Sequence, residues 1–312
     1  MAEIGTRAIR LGLVGIGKIA RDQHLPALAA DGRFELTATA SRHATLEGVP
    51  GYRDISTMIA SGHDLDAVSL CTPPDGRYEQ ALAAIDAGLH VMLEKPPATT
   101  LTEIASLADH AKAKGVVLYT TWHSREAAGV EPAKAWLLGK RILAVRITWK
   151  EDIRRWHPGQ EWILAAGGFG VFDPGINALS IATKILPEPM LLDKGWMEVP
   201  EGRASPLAAR LEMRSGNARV DVVFDFLQTG PQTWDIEIDT DAGTLRLGMG
   251  GSILQLPGEE EQKAPDCEYP RLYARFAELV AAGESDVDVR PLQIVADAFM
   301  MADRRTTAPF VF

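Results

Sequence analysis

A chain of 312 residues is too long for one ordinary hydrophobic core and long enough for two domains. Its net charge of −10 argues against a nucleic-acid partner, since phosphate binding needs a basic surface, and its 46% hydrophobic and 24% charged residues are ordinary for a globular protein. No apolar run reaches the ~18 residues of a membrane helix, and two distant cysteines, Cys71 and Cys267, give no disulfide framework and no cysteine-based metal site.

Met1 to Arg10 lacks the apolar core of a signal peptide, so the expected location is the cytoplasm. Ile9–Val14 is a short apolar run that suits a buried parallel strand, and Gly15-Ile16-Gly17-Lys18-Ile19-Ala20 follows it. A helical pattern then runs from Ile19 to Ala30. This strand–turn–helix context is what a dinucleotide fingerprint requires. Gly15 permits the tight turn, Gly17 lets the backbone approach a pyrophosphate, and Ala20 permits close helix–strand packing. Lys18 and Ile19 complete the cofactor-facing loop, and the helix N-terminus offers its N–H groups to the anion. The second strand, Phe34–Ala40, ends in Ser41-Arg42-His43, where an NAD enzyme usually carries an acid. A hydroxyl beside a guanidinium suits a 2′-phosphate, so NADP is expected to be preferred over NAD; the alternative for Arg42 is a solvated surface charge.

Helical patterns at Ile55–Ser61, Arg77–Ala87 and Leu101–Lys114 alternate with strands at Ala67–Cys71, His90–Leu93 and Val116–Thr121. Gly88 and Gly115 stand where left-handed helix caps are expected. The alternation predicts a doubly wound parallel sheet. Ligands of such a sheet bind at the carboxyl ends of its strands. Two sequences fall there, Cys71-Thr72-Pro73 and Glu94-Lys95-Pro96, and Cys71, Thr72, Pro73, Glu94 and Lys95 join the cofactor-binding set. Cys71 reads as a buried thiol, not a nucleophile. Lys95 is a candidate functional cation, with a surface pair to Glu94 as the alternative, and Lys95–Pro96 is a candidate cis peptide.

The pattern changes at Trp122, which predicts domains at 1–122 and 123–312. A helix near Pro132–Gly139 leads to a long strand at Ile142–Lys150, a loop, and a helix at Phe172–Ile185. Successive strands follow from Met190 to Leu256, and helices at Tyr269–Ala282 and Pro291–Ala302 close the chain. The second domain is therefore α+β with an open, mostly antiparallel sheet. Asp173 and Asn177, four apart, share a helical face behind a glycine-rich run, Gly167 to Gly170, that could let the backbone approach a bound ring. Asp173 also suits a helix N-cap before Pro174. The pairs Trp122-His123 and Trp156-His157, and Trp234 on a strand, are candidates to stack on a sugar and bind its hydroxyls, though a tryptophan is more often core. The charge run Lys150 to Arg155 has a solvated edge as its plain reading, and no cluster has metal-ligand spacing.

The Gly-x-Gly-x-x-Ala opening, Glu94-Lys95-Pro96 and the glycine-rich run into Asp173 occur in the order of the Gfo/Idh/MocA oxidoreductases, and the chain resembles that family over essentially its whole length. The resemblance implies a Rossmann domain followed by an open-faced sheet domain that builds a sugar site and often the subunit interface, as a homodimer or homotetramer. It maps the family lysine onto Lys95. The family's second motif, usually Asp-x-Gly-x-His, reads Asp173-Pro174-Gly175-Ile176-Asn177 here, which shifts the base role from a histidine to Asp173, with Asn177 beside it. The segments Gly15–His24, Trp149–Asp152, Arg155–Gln160 and Asp173–Asn177 are similar to the family's bacterial aldose 1-dehydrogenases for L-arabinose and D-galactose. That implies oxidation of a pyranose, D-fucose included, at C1 to the 1,4- or 1,5-lactone. On the resemblance and side-chain chemistry, His123, Glu151, Trp156 and Trp234 join Asp173 and Asn177 as substrate-binding candidates. The alternatives are a sugar-alcohol dehydrogenase of the same fold and a nucleotide-binding regulator without chemistry.

Overall fold

The computed structural model describes residues 7–312; the first six residues of the N-terminal stretch read above lie outside the described residues. The chain divides into two compact units, one running to Trp122 and adding Tyr269–Val289, the other His123–Glu268 with Arg290–Phe312.

The first unit holds β1 (Ile9–Val14), β2 (Phe34–Ala40), β3 (Gly51–Tyr52), β4 (Ala67–Leu70), β5 (His90–Leu93) and β6 (Leu118–Thr120). They form one parallel sheet in the order β3-β2-β1-β4-β5-β6, so the winding direction reverses beside β1. Leu11, Leu13, Val68, Leu70 and Val91 are wholly buried, as strands covered by helices on both faces require. The sequence's Ile19–Ala30 helix is instead a π-turn over Ala20–His24 running into α1 (Leu25–Ala30). Pro26 has no N–H to offer the Asp22 carbonyl, and the wider turn is bridged by Leu25 N–H to Ala20 O. Further helices are α2 (Ile55–Ala60), α3 (Arg77–Asp86) and α4 (Leu101–Lys114), with reciprocal capping boxes at Asp54/Thr57 and Thr100/Glu103.

The expected boundary puts everything after residue 122 in the second domain, and one segment departs from it. Tyr269, Leu272, Tyr273, Phe276 and Leu279 are buried in the same core as Ile9, Phe34 and Tyr119. The chain that follows then pairs with the outer strand, through Thr120 N–H to Asp286 O at 3.0 Å and Asp286 N–H to Leu118 O at 3.1 Å. That covers an edge that would otherwise expose unpaired main-chain groups.

The second unit is built on β7 (Ile142–Lys150), β8 (Met190–Pro200), β9 (Ala208–Ser215), β10 (Ala218–Asp225), β11 (Thr233–Thr240), β12 (Gly243–Gly248), β13 (Ile253–Gln255), β14 (Gln262–Lys263) and β15 (Asp303–Thr307). The order is β14-β13-β12-β11-β7-β10-β9-β8-β15, antiparallel except β7/β10 and β8/β15. Its helices are α5 (Val130–Leu137), α6 (Ile153–Trp156) and α7 (Phe172–Ile185), and α8 (Glu268–Ala282), which belongs to the first unit from Tyr269 onward, precedes α9 (Arg290–Met301). Along β10, Ala218, Val220, Val222 and Phe224 are buried, and the residues between them face the other way. That other face carries ion pairs such as Arg146–Asp239 at 2.6 Å and Arg219–Asp221 at 2.7 Å. Phe172 of α7 meets Phe224 edge-on at 5.7 Å. Gly175 lies against the same ring: a Cβ there would stand 2.7 Å from Phe224. Gly175→Ala is therefore expected to destabilise the protein by about 1–3 kcal/mol in urea unfolding, the range for overpacking. Among the described residues no helix is long and apolar enough to cross a membrane.

Candidate active site

The first unit gathers the sequence's cofactor residues at one end of its sheet. Gly15–Ile19 follow β1, Ser41 and Arg42 follow β2, Cys71–Pro73 follow β4, and Glu94 and Lys95 follow β5. Gly15 N–H donates to Ala40 O at 2.8 Å and Cys71 N–H to Val14 O at 2.7 Å, so three strand ends converge at the reversal of winding. Gly15 has φ +91°, and a Cβ there would stand 2.9 Å from the Thr72 nitrogen. Gly17 is the opposite case, with nothing within 4 Å of where a Cβ would be. A turn pressed onto β4 at Gly15 and open above Gly17 fits a dinucleotide pyrophosphate. Lys18 is exposed and paired with Asp22, Ile19 packs partly on the core, and Arg42 is exposed. Thr72 Oγ1 donates to Gln80 at 2.8 Å.

The Lys95–Pro96 peptide is cis. Glu94 is not a surface group: the residue is 3% exposed. One carboxylate oxygen accepts the Lys95 N–H at 2.8 Å, and the other accepts from Tyr269 Oη at 2.6 Å and lies 3.2 Å from His24 Nε2. His24 Nδ1 meets Tyr273 Oη at 2.7 Å. Burial opposes a charged His24, yet Cys71, Tyr273 and the Glu94 carboxylate around it hold its pKa well above the ordinary imidazole value. Arg77, also buried, donates to the carbonyls of Glu94, Pro96 and Thr72. Sequence reading missed both His24 and Arg77. Each sits in an ordinary helical pattern, and its partners lie outside that helix: 70 and 249 residues away for His24, and in the loops after β4 and β5 for Arg77.

In the second unit Asp173 is the second residue of α7, 4% exposed, with Asn177 one turn on and less buried. The capping alternative for Asp173 is not realised, because Val171 holds the N-cap and makes no side-chain cap bond. Of the preceding glycines, Gly168 and Gly170 are packed closely, while Gly167 is exposed. A Cβ at Gly168 would stand 2.3 Å from Trp162 O and one at Gly170 2.2 Å from Pro206 O, so their close neighbours are the unit's own backbone.

Glu151 overturns the solvated-edge reading of its charge run, being 3% exposed. It lies two residues after Trp149 and so on the same, inward face. Its Oε2 accepts from Trp234 Nε1 at 2.8 Å and its Oε1 lies 3.3 Å from His157 Nε2. Trp234 stacks on Trp149 at 5.6 Å and meets Trp156 at 5.0 Å. Three indoles and a buried carboxylate thus form one cluster, and all but Trp149 are among the substrate-binding candidates of the sequence. His123 Nδ1 meets Glu268 Oε2 at 2.6 Å. A cavity of about 240 Å³ beside Thr233, Asp235 and Arg246 opens on the opposite, polar face of β11 from Trp234. Among the described residues no group of three or more His, Cys, Asp or Glu is placed to hold a metal ion.

Comparison with known proteins places these two units in a shared context. The profile of the Gfo/Idh/MocA oxidoreductase family, NAD-binding Rossmann fold, matches residues 9–121. Over 304 residues the chain is 40% identical to galactose 1-dehydrogenase of Pseudomonas fluorescens, covering 97% of this chain and 98% of that one. The crystal structure of a D-galactose-1-dehydrogenase protein from Rhizobium etli matches with a TM-score of 0.91 at 51% identity, covering 97% and 98% of the two chains. A 3-ketoreductase from Actinomadura kijaniata, solved with NADP, shares the fold at a TM-score of 0.84 and 19% identity.

Proposed function

This chain belongs to the Gfo/Idh/MocA family of oxidoreductases, and we propose that within it the protein is an NAD(P)-dependent aldose 1-dehydrogenase. It oxidises C1 of pyranoses of the L-arabinose and D-galactose configuration, D-fucose among them, to the lactone. The observation that carries this reading is the likeness to a galactose 1-dehydrogenase across 97% of the chain, through both units and not the Rossmann unit alone. The two sugars share their configuration from C1 to C4 and differ at C5, so one set of contacts serves both.

The bound nicotinamide dinucleotide supplies the hydride acceptor. Residues following β1, β2 and β4, Gly15 and Gly17 among them, would hold it. Asp173 takes the O1 proton as C1 loses hydride and C1=O forms, and Asn177 orients the hydroxyl. Lys95 stabilises the negative charge that develops on O1. Trp156 and Trp234 supply an apolar surface for the sugar's C–H face. Glu151 keeps Trp234 in place through the indole N–H, and His123 serves a hydroxyl. We assign dinucleotide binding to the first unit, sugar binding and subunit contact to the second, and a homodimer or homotetramer in the cytoplasm.

Cofactor reduction followed by absorbance, with L-arabinose, D-galactose, glucose and myo-inositol in turn, tests the reaction. Turnover with the first two supports it. Turnover with myo-inositol alone puts the protein among sugar-alcohol dehydrogenases, and silence with all four points to a regulator.

Two finer predictions belong to this reading. Arg42 follows β2, where an acid would repel a 2′-phosphate. Arg42→Ala is expected to cost NADP about 1.5–3 kcal/mol in kcat/KM and leave NAD nearly untouched, and Ser41→Asp is expected to reverse the preference. A wild-type preference for NAD of about tenfold or more overturns it. Trp234→Leu is expected to raise the sugar KM about three- to tenfold with kcat little changed, because stacking acts alike in ground and transition states. A fall in kcat alone refutes the platform.

A further inference from the structure

The main chain around Lys95 is held on every side by buried polar groups that the reaction itself does not use. The Lys95 N–H is taken by Glu94 Oε2 at 2.8 Å, and the carbonyls of Glu94 and Pro96 on either side of it are taken by Arg77. Glu94 is in turn held at its other oxygen by Tyr269 at 2.6 Å and His24 at 3.2 Å, and His24 by Tyr273 at 2.7 Å. His24 and Tyr273 are wholly buried, and Glu94 and Tyr269 are nearly so. A carboxylate buried this deeply is costly unless its oxygens are satisfied, so its orientation depends on these donors. The chain thus commits two tyrosines of α8 and the last residue of the π-turn to orienting one carboxylate.

We propose that His24 is a positioning residue for Lys95: through Glu94 it fixes the main chain from which the lysine projects, with Tyr269 and Tyr273 locking the imidazole and the carboxylate. This rests on the reading of Lys95 as the group that stabilises charge on O1. The groups facing His24 are Glu94, Tyr269, Tyr273 and Cys71.

The test compares His24→Leu, His24→Gln and Tyr269→Phe in the full-length protein. Three readouts are taken: steady-state kinetics, Lys95 labelling by an amine-selective reagent followed by peptide mass spectrometry, and NADP affinity by fluorescence titration. His24→Leu is expected to lower kcat about tenfold or more with sugar KM and NADP affinity within about twofold, and to change the Lys95 labelling rate at least about threefold relative to Lys18. His24→Gln keeps an N–H donor toward Glu94 and is expected to restore kcat to within about threefold. Tyr269→Phe keeps the ring and removes one donor, so it gives a smaller change in the same direction and decides the matter if His24→Leu does not fold. Folded variants with unchanged kcat and unchanged Lys95 labelling overturn the proposal and leave the cluster a core contact. If the wild type turns over no aldose, the proposed reaction fails, and the labelling arm still decides whether His24 positions Lys95. The imidazole itself gives a further readout by NMR. With its folded pKa raised, His24 contributes stability below the ordinary imidazole pKa that is lost as pH rises through the raised value, and Glu94→Gln is expected to bring its titration down.

Discussion

Replacing Asp173 by alanine is expected to lower kcat at least about 100-fold while NADP affinity stays within about twofold. The expectation follows from where the carboxylate stands. It is buried at the second position of α7, one turn before Asn177, and the helix does not use it as a cap, since Val171 occupies that position. The start of the helix therefore does not depend on it. Asp173→Asn sharpens the test. It keeps shape and polarity and removes the proton acceptor, so it is expected to fall as far as Asp173→Ala. If stopped-flow and steady-state rates of either variant stay within about threefold of wild type, the proton goes elsewhere and Asp173 is structural.

The second large effect is expected at Lys95. Lys95→Met keeps the aliphatic stem and deletes the ammonium, and kcat/KM for the aldose is expected to fall about 100- to 1000-fold, the range for removing a group aimed at developing charge. The main chain is expected to hold in the variant, because Glu94 takes the Lys95 N–H and Arg77 takes the flanking carbonyls. Lys95→Arg is expected to rescue little, since a planar fork does not replace a compact cation. A Lys95→Met enzyme whose KM rises while kcat survives would show a binding role only.

Local pattern carried much of this molecule. Ile142–Lys150 and Phe172–Ile185 appear with the bounds that periodicity predicts, because alternation and the 3.6-residue stripe are written within one segment. The glycine fingerprint likewise stands where its strand and turn require. The final helices were legible as helices, yet the stripe of Tyr269, Leu272, Tyr273 and Phe276 says only that a face is buried, not in which core. The short strands Gly51–Tyr52, Gln262–Lys263 and Asp303–Thr307 carry too little pattern to be read, and pairing partners alone define them.

The candidate sites divide in the same way. The sequence by itself determined which residues follow the strand ends, Gly15 to Ile19, Ser41, Arg42, Cys71 to Pro73, Glu94 and Lys95, because strand ends are local facts. It also put Asp173 and Asn177 on one helical face. Tertiary structure alone decided what the carboxylates do. Glu151 lies in a charge run, and only an indole 83 residues away makes it a buried acceptor. Glu94 reads as a surface acid until Tyr269, 175 residues on, and His24, 70 residues back, close around it. Hydrophobic period and turn chemistry act within a dozen or so residues. A buried charge is settled by the few donors that the fold happens to bring within about 3 Å, wherever in the chain they lie.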